Sequence, residues 1–265
     1  MSRDEVLVTV VAAAIGLGGW LWRVVRLVRA RRLRPGNGAA ALGVVVACCA
    51  ALVFFLLRIG ASEDVQNAPE YLFMYVALGL AWIWAAESLF SLFGISARDD
   101  VIERRNGAAL IAVCGALVGV TLCYAGGNIG DGPGWWVVMF AAGLATIALA
   151  VVWSLYELLT GGSEAITIDR DRAAGARLAG LLVACGLLFG RGVAGDWVSA
   201  ALTLSDFVVV LPVAAGLLAL AWIVERTARP TAERPRAPLA SHGLVVALVY
   251  VGIAAAYVAR MGWPS

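Results

Sequence analysis

Eight apolar runs, each long enough to cross a ~30 Å hydrocarbon layer, constrain this chain more than any other feature. They cover residues 5–28, 39–59, 71–94, 107–126, 135–159, 173–194, 203–224 and 243–262. A backbone inside lipid must satisfy its own hydrogen bonds, so runs of this length are read as helices. The remaining composition agrees. Of 265 residues 62% are hydrophobic and 14% charged, with a mean hydropathy of +0.89, more apolar surface than one soluble core can bury. The expected fold class is all-α, a polytopic membrane protein of about eight transmembrane helices arranged as two-helix hairpins.

Charge placement gives the sidedness. All twenty basic residues are arginine. The loops after the first, third, fifth and seventh runs carry six (Arg23, Arg26, Arg29, Arg31, Arg32, Arg34), three (Arg98, Arg104, Arg105), three (Arg170, Arg172, Arg177) and four (Arg226, Arg229, Arg234, Arg236) of them. Retained loops keep positive charge, so these four are assigned to the cytosol of a bacterial cell and both termini to the periplasm, with the chain in the inner (cytoplasmic) membrane. The first run has its arginines behind it rather than in front, which reads as an uncleaved helix and not as a secretory signal. Glu225 to Ser241 is proline-rich and basic, a solvated linker. A net charge of +2 gives no reason to expect a nucleic-acid partner.

The chain also echoes itself. Arg104 to Gly127 and Asp169 to Gly195 align at an offset of 65, matching Arg105, Ala108, Ala109, Gly115, Val118, Leu122 and Gly127 with Arg170, Ala173, Ala174, Gly180, Val183, Leu187 and Gly192. Fainter traces extend the pattern to four hairpins: Trp84 with Glu87, Trp153 with Glu157, Trp222 with Glu225, and Trp20/Trp22 in the first run. Such copies share one orientation and are related by an axis along the membrane normal. Small residues four apart, Gly115 and Gly119, then Gly186 and Gly190, predict close helix packing. Three segments follow: 1–96, an N-terminal part of diverged repeats; 97–226, the tandem hairpin repeats; 227–265, the linker and last span.

The residues Arg105-Asn106-Gly107-Ala108-Ala109 with Gly115 and Gly119, and Asp169-Arg170-Asp171-Arg172-Ala173-Ala174 with Ala179-Gly180 and then Gly190-Arg191-Gly192, carry a resemblance. They resemble the YjfL-like family of bacterial inner-membrane proteins, a domain of unknown function found in pairs, over residues 98–197. The likeness implies a bacterial cytoplasmic membrane and paired hairpins. It departs from the family pattern at Asp171, where asparagine is usual, and at Val113 and Leu178, where an acid is often seen.

Candidate sites come from polar groups in apolar runs. Arg58, Arg191 and Arg260 end the second, sixth and eighth runs against the general arginine bias, and Asp206 lies near the outer end of the seventh, before a kink expected at Pro212. A lone arginine at a helix end can snorkel to the interface; the sharper reading brings these four groups together in an outer vestibule. Glu87 is the deepest acid and must face protein or water. Glu157 and Glu225 are expected to pair with Arg172, Arg177 or Arg226. Arg31, Arg32, Arg34, Arg104, Arg105, Arg170 and Arg172 form a cytosolic basic surface.

Chemistry beyond this is thin. The five cysteines lie in apolar runs without metal-site spacing, the single histidine, His242, has no converging donors, and Gly126 to Gly134 lacks the ending of a phosphate cradle. No metal, cofactor or catalytic residue is expected, and hence no enzyme. The expected function is a non-enzymatic module for small-solute or ion passage; the alternative is a scaffold or signalling and envelope-stress component that binds through its arginine-rich loops. Expected partners are the bilayer, anionic lipid, and a second copy of the chain or another membrane or cytosolic protein.

Overall fold

The computed structural model describes residues 1–33, 37–228, 238–262 and 264, and the side chains of these except 26–33. Among them, eight helices have the length and apolar character of membrane spans. They are α1 (Arg3–Leu33), α2 (Gly38–Gly60), α3 (Pro69–Ser88), α4 (Gly107–Gly126), α5 (Trp135–Thr160), α6 (Arg172–Gly192), α7 (Leu211–Ala228) and α8 (Val245–Met261). The chain is a multi-pass membrane protein. The Arg98–Arg105 and Arg170–Arg172 turns lie at one end of the bundle. At the other, Tyr71 donates to Glu5 at 3.1 Å and Arg191 Nε donates to the Gly262 carbonyl at 3.0 Å, which fixes both chain ends there.

The even-numbered helices form a row in chain order, α2 on α4, α4 on α6, α6 on α8. The odd-numbered ones lie across it: α1 packs on α3, α3 on α2 and α4, α5 on α4 and α6, and α7 on α5 and α6. The α4–α6 contact is the most extensive, and glycine makes it so. A Cβ at Gly119 would stand 2.6 Å from the Leu182 carbonyl oxygen, and one at Gly186 2.5 Å from that of Gly119. Lipid offers no hydrophobic drive for helix association, so backbones that approach this closely gain dispersion contacts instead. The glycines named in the sequence therefore line a packed seam. Burial follows the row: the apolar window of α6 is 83% buried, those of α1 and α8 only 11%.

Local chemistry sets the helix ends. Asn106 Oδ1 accepts from the Ala108 and Ala109 amides at 2.9 and 3.3 Å, and Asp171 Oδ1 from Ala173 N at 2.8 Å, capping α4 and α6 at aligned positions. The residue before each cap, Arg105 and Arg170, has a left-handed backbone, φ 51° and 55°. At the opposite end the loops are tied in series: Gly130 N donates to Gly60 O at 2.9 Å, and Gly195 N to Ile129 O at 2.9 Å. Gly130 and Gly195, at φ 104° and 137°, adopt turns closed to most other residues.

Three expectations change in detail. The 203–224 run is two helices, Ala200–Val208 and α7, broken at Val209-Val210, just before Pro212, whose ring cannot continue a preceding turn. The 71–94 run stops at Ser88 and turns tightly through Phe90–Phe93 to a left-handed Gly94. The linker expected from Glu225 begins later, since α7 continues to Ala228 with Glu225 buried in it, and among the connections Ala97–Glu103 is a widened helical turn and Gly162–Thr167 a short helix.

Candidate functional site

Glu87 sits one residue before the end of α3, 5% exposed. Its Oε1 is salt-bridged to Arg23 Nη1, from α1. The hairpin geometry makes the pair: α1 lies along α3, and Trp20 Nε1, one turn before Arg23, donates to the Leu80 carbonyl at 3.0 Å. Among the described residues Glu87 Oε2 has no hydrogen-bond partner. Beside it is a cavity of about 100 Å³ between α1, α2, α3 and α4, with Trp20, Leu42, Val46 and Leu117 among its apolar walls.

A second pair lies between α6 and α7 and is built differently. Arg177 Nε donates to Glu225 Oε1 at 2.6 Å and Nη2 to Oε2 at 2.7 Å, while Nη1 donates to the His242 carbonyl at 3.1 Å. The two side chains are 1% and 3% exposed, and Asp171 Oδ2 stands 3.9 Å from Nη2. This fork-on-fork contact is the strong form of an arginine–carboxylate pair. The expectation that Glu225 finds a structural arginine holds. Glu157 does not: it accepts from Ser163 N and Oγ at 2.9 and 2.6 Å and closes the end of α5.

The two paired acids share a sequence signal. Each follows a tryptophan by three residues, Trp84–Glu87 and Trp222–Glu225, and Arg23 stands in the same relation to Trp20 and Tyr156 to Trp153. Arg23 was counted with the basic loop although it falls inside the 5–28 run; in α1 it is a helical residue one turn after Trp20.

The polar residues expected to share a vestibule, at the end that carries both termini, are held separately. Arg58 is exposed and its Nη1 donates to Gln66 O at 2.6 Å, Arg191 binds the Gly262 carbonyl, and Arg260 and Asp206 are exposed, with Asp206 close enough to act electrostatically on Arg191. The row explains why they do not share one vestibule. Arg58 ends α2 and Arg260 ends α8, so α4 and α6 lie between them, roughly 25–30 Å at ordinary helix spacing. What does open at this end is a bowl of about 600 Å³ rimmed by Glu63, Asp64, Asp131 and Asp196. Its loops are joined by Asp131 N donating to Asp196 Oδ1 at 2.8 Å.

Of the expected basic surface, Arg104, Arg105, Arg170 and Arg172 are exposed at the arginine-rich end, Arg104 bridging Asp100 at 3.0 Å. Asn106 Nδ2 donates to Ile166 O at 2.7 Å and holds the two arginine turns together. The side chains of Arg31, Arg32 and Arg34 lie outside the described residues, as do Arg229, Arg234 and Arg236.

Residues 62–193 match the family model described as Domain of Unknown Function (DUF350), an uncharacterised family. Those limits take in α3 to α6, the packed centre of the row, and begin at Ser62, well before residue 98. No curated protein and no solved structure matches the chain.

Proposed function

We propose that this chain is a non-enzymatic scaffold of the bacterial cytoplasmic membrane, whose arginine turns bind anionic lipid phosphates or an acidic partner at the cytosolic face. This reading takes the arginine-rich end as cytosolic and the termini as periplasmic, and keeps the resemblance to the YjfL-like family and its paired hairpins. One observation carries it: Arg105 and Arg170, at aligned positions, are both held at positive φ. A residue with a Cβ pays on the order of 1 kcal/mol or more for that conformation, and glycine or asparagine would occupy it at lower cost. Strain retained twice at an exposed cation points to what the guanidinium does. The adjoining helix caps fix the backbone from which the two side chains leave, so their Cα positions need no further ordering at the headgroup plane.

The test is lipid selectivity. A basic side chain at an anionic surface contributes about 1 kcal/mol, so replacing both lowers affinity for phosphatidylglycerol over phosphatidylcholine roughly 30-fold. Quenching of the tryptophans by brominated lipids, compared between wild type and Arg105→Gln/Arg170→Gln, measures it. Equal selectivity in the two proteins ends this proposal, whereas recovery in Arg105→Lys/Arg170→Lys supports charge as the cause.

A second reading, passage of a small solute or ion, is favoured by the acid-rimmed bowl at the opposite end, since clustered carboxylates raise local cation concentration. Liposome flux with and without Asp131→Asn/Asp196→Asn decides it, and flux that is absent or insensitive to the change removes it.

A further inference from the structure

The Arg23–Glu87 pair is unfinished in a way that the Arg177–Glu225 pair is not. Its carboxylate contributes one oxygen to the bridge and leaves the other, Oε2, buried and without a partner. Its guanidinium is 23% exposed and meets Glu87 through Nη1. Both residues line the apolar cavity of about 100 Å³. A buried carboxylate oxygen without a donor is costly, so an occupant that donates a hydrogen bond there is favoured.

We propose that this cavity binds the headgroup of an amine-bearing phospholipid, with the ammonium donating to Glu87 Oε2 and the phosphate accepting from Arg23. Charge selects the class. The pair is neutral overall and bipolar, with an acceptor inside and donors toward the mouth. A zwitterion of reversed polarity satisfies both ends and adds no net charge to a low-dielectric site. Volume narrows it further. The space is large enough for an ethylammonium arm. A trimethylammonium is larger and has no N–H to give.

Position argues for lipid as the source. Glu87 lies at the end of α3, and the cavity reaches Ala39 and Gly43 in the first two turns of α2, at headgroup depth near the arginine-rich turns. The flanks of α1 and α2 that bound it, with Leu21, Val24 and Val44 exposed, offer an apolar surface along which acyl chains can lie.

Gly43 supplies a clean variant. A Cβ there meets nothing within 4 Å, so Gly43→Leu fills the cavity without displacing a neighbour. The protein is equilibrated in nanodiscs holding equal parts of phosphatidylethanolamine, its N-methyl and N,N-dimethyl derivatives and phosphatidylcholine, and retained lipid is counted by native mass spectrometry. One phosphatidylethanolamine is expected to remain, with retention falling at each methylation to about a tenth at phosphatidylcholine. Gly43→Leu lowers retention about tenfold with its unfolding midpoint unchanged, as does the neutral pair Arg23→Gln/Glu87→Gln. Equal retention across the methylation series, or full retention in Gly43→Leu, overturns the proposal. Displacement of the bound lipid by soluble phosphoethanolamine at millimolar concentration overturns the lipid as its source. None of these readouts depends on Arg105 or Arg170.

Discussion

Two acids, each three residues after a tryptophan and each near the arginine-rich end of its helix, meet arginine in opposite ways. Glu225 is gripped by both faces of the Arg177 fork and sealed in. Glu87 is held through one oxygen, next to a cavity. The difference tracks position in the row. Arg177 is on α6, walled by α4, α5, α7 and α8, whereas Arg23 is on α1, which rests mainly on α3 and is otherwise exposed. The same pairing of charges serves as a lock where helices surround it and as an open contact where they do not.

The contrast can be broken most severely at the lock. Glu225→Ala strands a guanidinium that no water reaches, and an unpaired buried charge costs about 3–5 kcal/mol. Unfolding in mixed micelles should show a loss of that size, or no folded protein. The equivalent change at the other site, Glu87→Ala, should cost only about 1–2 kcal/mol, because Arg23 can swing its head to the interface. Equal losses at the two sites would refute the distinction. Glycines sharpen it further: a Cβ at Gly180, one turn from Arg177, would stand 2.5 Å from that of Ala247. Gly180→Val should therefore lower stability by about 1–3 kcal/mol through overpacking. Gly43→Leu, beside the open pair, should stay within about 0.5 kcal/mol of wild type. A change of opposite sign is expected at the cap, since Arg105→Gly relieves a left-handed arginine while loosening the unfolded chain and should raise stability by no more than about 0.5 kcal/mol, detectable as a higher midpoint.

Run length and hydropathy were enough to read the eight spans, because the thickness of the bilayer leaves few other ways to dispose of such segments. Glu87 was legible for the same reason: an acid in an apolar run must have a partner. Its partner was hidden because Arg23 is the first of six closely spaced arginines and was counted with the loop, although it falls inside the apolar run and lies on the face of α1 that packs on α3. The outer arginines were misjudged as a group because neighbour order across the row is not written in hydropathy. Once α2 and α8 occupy opposite edges, Arg58 and Arg260 cannot meet. The left-handed turns at Arg105 and Arg170 were visible only as a recurring Arg-Asn or Arg-Asp step, with nothing in the residue type to signal the sign of φ.

The glycine seam has a consequence for biogenesis. The face of α4 that carries Gly115 and Gly119 is completed by Ala179 and Leu182, about 65 residues further along the chain. At elongation speeds of about 5–20 residues per second, α4 must wait in the bilayer for roughly 3–13 seconds before α6 covers this face. During that interval the nascent protein is most open to a wrong helix docking in place of α6, whether from a neighbouring ribosome or from the insertion machinery. Quality control of this protein is thus decided midway through its synthesis, before its last two spans exist.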